Sequence, residues 1–216
     1  MPGPAVGPRG LRTGRLEAFS DGVFAIAVTI LVLELSVPEG SEAEPLNAVL
    51  DQWPAYLAYL VSFSTIGAAW LAHSVITEHL TGADAVLVRL NLLLLMVVSF
   101  IPFPTQLLAQ FIHERDAERV AATIYGLNLL LASALVSVLW QYTVRAGLVR
   151  PDVEDADVRI FARRLTPGLA GYVVLIGVGL LFPLVALLGY LGIAVFFIVP
   201  FRHIRHRDRE PDQGRA

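Results

Sequence analysis

Asp21 lies inside, and His73 directly after, a block of mainly apolar sequence. An acid and an imidazole in that setting can relay a proton or stabilise one another by hydrogen bonding. Enzymatic use of the pair would need company that the chain lacks. No nucleophile and no Gly-rich phosphate loop accompanies them, and the count of zero Cys removes thiol chemistry, Cys-bound zinc and disulfides together. His73 and His79 stand six residues apart, about 240° around a helix, and so cannot share a ligand face. His203 and His206 lie in an Arg-rich tail, where a solvated face is the simpler reading. No catalytic site, resident metal or cofactor is expected.

The elements that would position these groups are membrane spans. Of the 216 residues, 56% are hydrophobic and 16% charged, against about 45–50% and about 25% in an average soluble domain. A net charge of −3 gives no basic field, so nucleic acid is not an expected partner. Apolar runs long enough to cross about 30 Å of hydrocarbon cover Leu16–Leu35, Trp53–Ala72, Val86–Phe111, Val120–Val144 and Leu165–Phe201. The last would make a helix of about 55 Å, so it should fold as a hairpin broken near Phe182-Pro183 or Gly189. The expectation is an all-α, polytopic protein with six transmembrane helices over residues 15–202. Residues 1–14 and 203–216 are expected to be disordered and cytoplasmic.

Arg supplies an independent topology marker, because all 16 basic residues are Arg and cytoplasmic segments collect positive charge. With six spans, 14 Arg fall inside and 2, Arg115 and Arg119, outside. With five, the Arg-rich tail would have to be translocated. Both termini are therefore expected in the cytoplasm of a cell with the chain in its inner membrane. The first connection instead carries Glu39, Glu42, Glu44 and Asp51. With Glu34, these acids could concentrate cations at an outer mouth or simply solvate an external loop.

The first span carries the most information. Phe19, Val23, Ile26, Ile30, Leu33 and Val37 are spaced 4, 3, 4, 3 and 4 and form one stripe on a helix, with Thr29 at its edge. Such a seam suits tight helix packing, or a wall of aliphatic rings where several copies surround an axis. The Thr29 hydroxyl could face that axis or bond back to the Ala25 carbonyl.

The run Arg15-Leu-Glu-Ala-Phe19-Ser20-Asp21-Gly-Val-Phe-Ala-Ile26-Ala-Val-Thr29-Ile30-Leu-Val-Leu33-Glu-Leu resembles the first-span signature of the transmembrane protein 175 family of potassium channels. The likeness continues through Ile66-Gly-Ala-Ala-Trp70-Leu-Ala-His73, Arg89-Leu-Asn91 and Phe100-Ile-Pro102-Phe103-Pro104-Thr105. It implies a homotetramer in the lipid bilayer, with four copies of span one around a pore that potassium ions cross. Ile26, Ile30 and Leu33 map onto the family's constriction rings and Thr29 onto a hydroxyl layer. Arg15, Ser20, Asp21, Trp70, His73 and Asn91 match its intramembrane polar cluster, a latch holding the pore helix. The chain has no Thr-Val-Gly-Tyr-Gly segment for a carbonyl-lined filter. The implied activity is passive, potassium-selective conduction. The rival readings are a proton-coupled secondary transporter using Asp21 and His73, and a non-conducting scaffold.

Three further features bear on shape. Pro102 and Pro104 should end or kink span three. Gly168, Gly171, Gly177, Gly179, Gly189 and Gly192 give spans five and six small-residue faces suited to close packing. No internal repeat of the kind that builds inverted-repeat transporters is evident.

Overall fold

A computed structural model of the chain describes residues 13–35, 45–111 and 115–199. Among them the secondary structure is helical apart from one isolated antiparallel bridge, Leu80 with Val149. The helices are α1 (Thr13–Ile30, continued by a 3-10 turn over Leu31–Glu34), α2 (Pro45–Asp51), α3 (Trp53–Glu78), α4 (Ala85–Phe100), α5 (Pro102–Phe111), α6 (Arg115–Arg145), α7 (Asp155–Gly179) and α8 (Pro183–Ile198). Of the residues expected to be disordered, 1–14 and 203–216, Thr13 and Gly14 instead begin α1 and the rest lie outside the described residues, as do Val37, Glu39, Glu42 and Glu44.

Four segments are long and apolar enough to cross a membrane: Thr13–Glu34, Trp53–Glu78, Ala85–Phe111 and Ala117–Arg145. The final apolar stretch does form a hairpin, broken at Leu180–Phe182, where Pro183 opens α8. That is the first of the two positions expected. Gly168 faces Phe197, Gly171 faces Ile193 and Gly189 faces Leu175 so closely that a Cβ would collide or press. These three glycines let α7 and α8 approach. Gly177 and Gly192 have open space around them and play no such part.

The apolar block from Val86 to Phe111 is not one straight span. It breaks at Ile101, ahead of Pro102 and Pro104, because neither proline has an N–H to give to the preceding turn. Ile101 itself keeps right-handed helical angles, so α4 and α5 are two halves of one kinked helix.

α6 is the central strut, packing against α4, α5, α7 and α8, whereas α1 lies against α3 and α4 at the edge of the bundle. The strut's core face is Tyr125, Leu129, Ala132, Val136, Leu139 and Trp140, a helical repeat of three and four. It ends at Gly147, whose φ of 66° lets the Leu148 N–H reach the Thr143 carbonyl and its own N–H reach that of Val144, closing the last turn. The chain leaving this cap is then joined to the α3–α4 loop. Thr81 N donates to the Leu148 carbonyl at 2.9 Å and Arg150 N to the His79 carbonyl at 2.9 Å. Asp84 caps α4 by accepting from Leu87 N at 2.8 Å and from the Tyr142 hydroxyl at 2.5 Å. The two loops therefore occupy the same end of the bundle.

Candidate functional site: the two faces of the first helix

α1 divides cleanly into two faces. Leu16, Ser20, Phe24 and Ala27, with Leu31 in the 3-10 turn, are buried against the subunit. On the other side Phe19 is 57%, Ile26 60%, Ile30 39% and Leu33 75% exposed. Thr29 shares this exposed side. Val23, a member of the sequence stripe, is half-buried and packs on the core, as does Val28. Large aliphatic groups in the open on an apolar, membrane-length helix face either lipid or a further protein surface.

The 3-10 turn adjusts the outer end of that face. A 3-10 helix has about three residues per turn, so side chains three apart eclipse one another. Winding Leu31–Glu34 this way keeps Ile30 and Leu33 on one side while Leu31 stays in the core. The Thr29 hydroxyl donates to the Ile26 carbonyl at 2.9 Å, a bond back to its own helix as in the second of the two expectations, made one residue along from Ala25.

On the buried face, a hydrogen-bonded chain ties α1 to its neighbours. His73 Nε2 lies 2.7 Å from Asn91 Oδ1, Asn91 Nδ2 lies 2.9 Å from Ser20 Oγ, and Ser20 donates to the Leu16 carbonyl at 2.8 Å. An amide oxygen can only accept, so His73 carries its proton on Nε2. Protons thus point one way throughout, from α3 through α4 to the backbone of α1. His73, Asn91 and Ser20 are all fully buried, where unmet polar groups are costly, and the chain satisfies Nε2 of His73 while its Nδ1 has no hydrogen-bond partner among the described residues. Phe24, which sequence reasoning did not single out, lays its ring against His73 at 5.5 Å between centroids. Its position four residues after Ser20, on the same helical face, was the available signal.

Asp21 belongs to the rim of this set. It accepts from Trp70 Nε1 at 2.9 Å in an exposed position, tying α1 to α3 outside the buried chain. Arg15 is exposed as well, and among the described residues no ion pair or hydrogen bond joins it to Asp21 or to the rest of the cluster. Six residues were therefore grouped by the sequence. The structure connects three of them as a buried chain, two as a separate exposed pair, and leaves Arg15 apart. No group of three or more His, Cys, Asp or Glu that could hold a metal occurs among the described residues.

Residues 15–102 match the family described as endosomal/lysosomal potassium channel TMEM175. A protein from Streptomyces collinus named as a potassium channel is 41% identical over 167 residues, 76% of this chain and 81% of that one. The human protein named as the endosomal/lysosomal proton channel TMEM175 is 33% identical over 154 residues, which cover 64% of this chain and 30% of that longer one. Among solved structures, a lysosomal potassium-selective channel TMEM175 homolog from Chamaesiphon minutus superposes with a TM-score of 0.76 at 35% identity, covering 86% of this chain and 95% of that one. With the first-span signature, the kinked third span and these extents of similarity in agreement, the chain belongs to the TMEM175 family.

Proposed function

We propose that this chain is one subunit of a potassium-selective channel, a homotetramer in which four copies of α1 surround the pore. The observation that carries this reading is the outward aliphatic face of α1, Ile26, Ile30 and Leu33, on a helix whose opposite face is locked into its own subunit. The relatives named potassium channels support the ion. α7 and α8 complete a six-span subunit as a short hairpin.

Both termini lie in the cytoplasm on this reading, with the subunit in the cell's inner membrane. The Arg asymmetry supports this orientation. The joining of the α3–α4 and α6–α7 loops at one end of the bundle fits two spans lying between them, whichever side of the membrane they occupy.

Conduction then follows from hydration. A narrow aliphatic ring removes water from an ion without replacing it, so the ion that holds its water less strongly crosses at lower cost, and a closed ring dewets. Potassium is favoured over sodium on that account. Thr29 oxygens, one turn beyond Ile26, supply partial recoordination.

Replacing Ile26 by Asn tests the reading. The amide wets the ring and offers ligands to both ions, so potassium flux into proteoliposomes should rise while the potassium-to-sodium permeability ratio falls. Val28, about 200° round the helix and packed inward, is the control, and Val28→Asn should alter stability and leave the ratio unchanged. Equal effects of the two substitutions on the ratio, or none from either, would remove Ile26 from the pore.

A further inference from the structure

Ser62 on α3, Thr105 in the first turn of α5 and Tyr125 on α6 form a second buried hydrogen-bonded set. Ser62 Oγ lies 2.7 Å from Thr105 Oγ1 and 2.8 Å from Tyr125 Oη, and Thr105 donates to the Ile101 carbonyl at 2.8 Å. All three side chains are buried. Each hydroxyl has one proton, which fixes the direction of the whole chain. Thr105 has given its proton to a carbonyl, so its oxygen accepts from Ser62. Ser62, having donated, accepts from Tyr125. The chain begins on the central strut and ends on the backbone of the kink.

That terminus matters mechanically. Ile101 is the junction of α4 and α5, and Pro102 and Pro104 deprive the neighbouring carbonyls of helical donors. A kink with fewer internal bonds is the part of a helix whose angle is most easily changed. Beyond it, α5 packs against the 3-10 turn Leu31–Glu34. Leu31 is fully buried there while Leu33 projects outward. The angle of α5 thus bears on the seat of Leu31, and Leu31 is two residues from Leu33 on a single tight turn.

We infer that the Tyr125–Ser62–Thr105 chain is a brace that holds the α4–α5 kink at one angle and so sets how far Leu33 projects at the outer constriction. Tyr125 is then a positioning residue for ion selection, although it lies on α6, which does not line the pore. The inference rests on the channel reading above. Its linear polarity adds to its stiffness, because hydrogen bonds in series polarise one another.

The test is Tyr125→Phe, which keeps the ring and deletes the first donor, read as the potassium-to-sodium permeability ratio of the full chain in proteoliposomes. The ratio should shift by roughly two- to tenfold, the range equivalent to one net hydrogen bond. Thr105→Val, nearly isosteric, should shift it in the same direction and serves if Tyr125→Phe assembles poorly. Thr105→Ser, which retains the hydroxyl, should keep the wild-type ratio. In a Leu33→Ala background the effect of Tyr125→Phe should vanish, since the ring it positions is gone. A lowered melting temperature with an unchanged ratio, or a shift that persists in the Leu33→Ala background, would overturn the brace while leaving the channel intact. Wild-type protein without potassium-selective flux would overturn both.

Discussion

With the end of the bundle that holds the α3–α4 and α6–α7 loops called inner and the opposite end outer, each half contains a one-way hydrogen-bonded chain ending on a backbone carbonyl, yet the two hold different things. The inner chain, His73 to Asn91 to Ser20, ends on the Leu16 carbonyl within α1 itself. The outer chain, Tyr125 to Ser62 to Thr105, ends on Ile101 in the third span and makes no hydrogen bond to the first helix, touching it through the packing of α3 and α5 on the 3-10 turn. Direct bonding fixes one end of α1 within its subunit. Contact alone seats the other end, and it is there that the helix tightens. The contrast teaches that one helix can be anchored at its inner end and adjustable at its outer end without any change of sequence character along it.

The largest effect should come from cutting the inner chain at its middle. Asn91→Ala strands both the His73 Nε2 proton and the Ser20 oxygen, and each buried group left unmatched costs about 1–3 kcal/mol. Its loss of stability in a detergent melt should exceed that of Tyr125→Phe, which removes a donor from a chain end, at least twofold. Equal losses would erase the distinction between the two chains.

A smaller effect is expected at the inner loops. Gly147→Ala forces a side chain into the left-handed region at φ 66°, at a cost of about 1–2 kcal/mol. It should loosen the loop pair, measured as faster amide exchange at Thr81 and Arg150, and leave exchange around Thr105 unchanged. A matching increase at Thr105 would mean that the halves do not behave independently.

The smallest effect concerns acid. The Leu87 N–H and the Tyr142 hydroxyl hold the Asp84 carboxyl below its ordinary value of 3.8. A depressed pKa contributes stability above the unfolded value, and that contribution is lost as the pH falls through the folded one. Wild-type melting temperature should therefore drop on acidification below about pH 4, and Asp84→Asn should flatten part of that drop. Identical profiles for the two proteins would show that Asp84 does not couple the inner loops.

Periodicity made the outward face of α1 legible, because Ile26, Ile30 and Leu33 repeat at helical spacing whatever surrounds them. The kink was legible from Pro102 and Pro104, since proline's missing donor is a local property. The 3-10 turn was not, because Leu31–Glu34 continues the apolar pattern and only packing around Leu31 tightens it. Nor was the outer chain. Ser62, Thr105 and Tyr125 are uncharged, lie on three helices separated by 43 and 63 residues, and gain their meaning only when those helices meet. Arg15 shows the opposite limit, since the resemblance grouped it with Asp21, whereas the geometry gives Asp21 to Trp70.

The antiparallel bridge of Leu80 with Val149 also constrains how the subunit can be made. The first strand of that bridge leaves the ribosome well before the second. At about 5–20 residues per second, synthesis of the intervening segment takes roughly 3–14 s, during which the third and fourth long apolar segments must enter the bilayer and return the chain to the side it left. Until then, the N–H of Thr81 and the carbonyl of His79 have no protein partner. The inner end of the subunit is thus sealed late in biogenesis, and a nascent chain stalled before residue 149 would expose an unpaired edge to whatever factors attend membrane insertion.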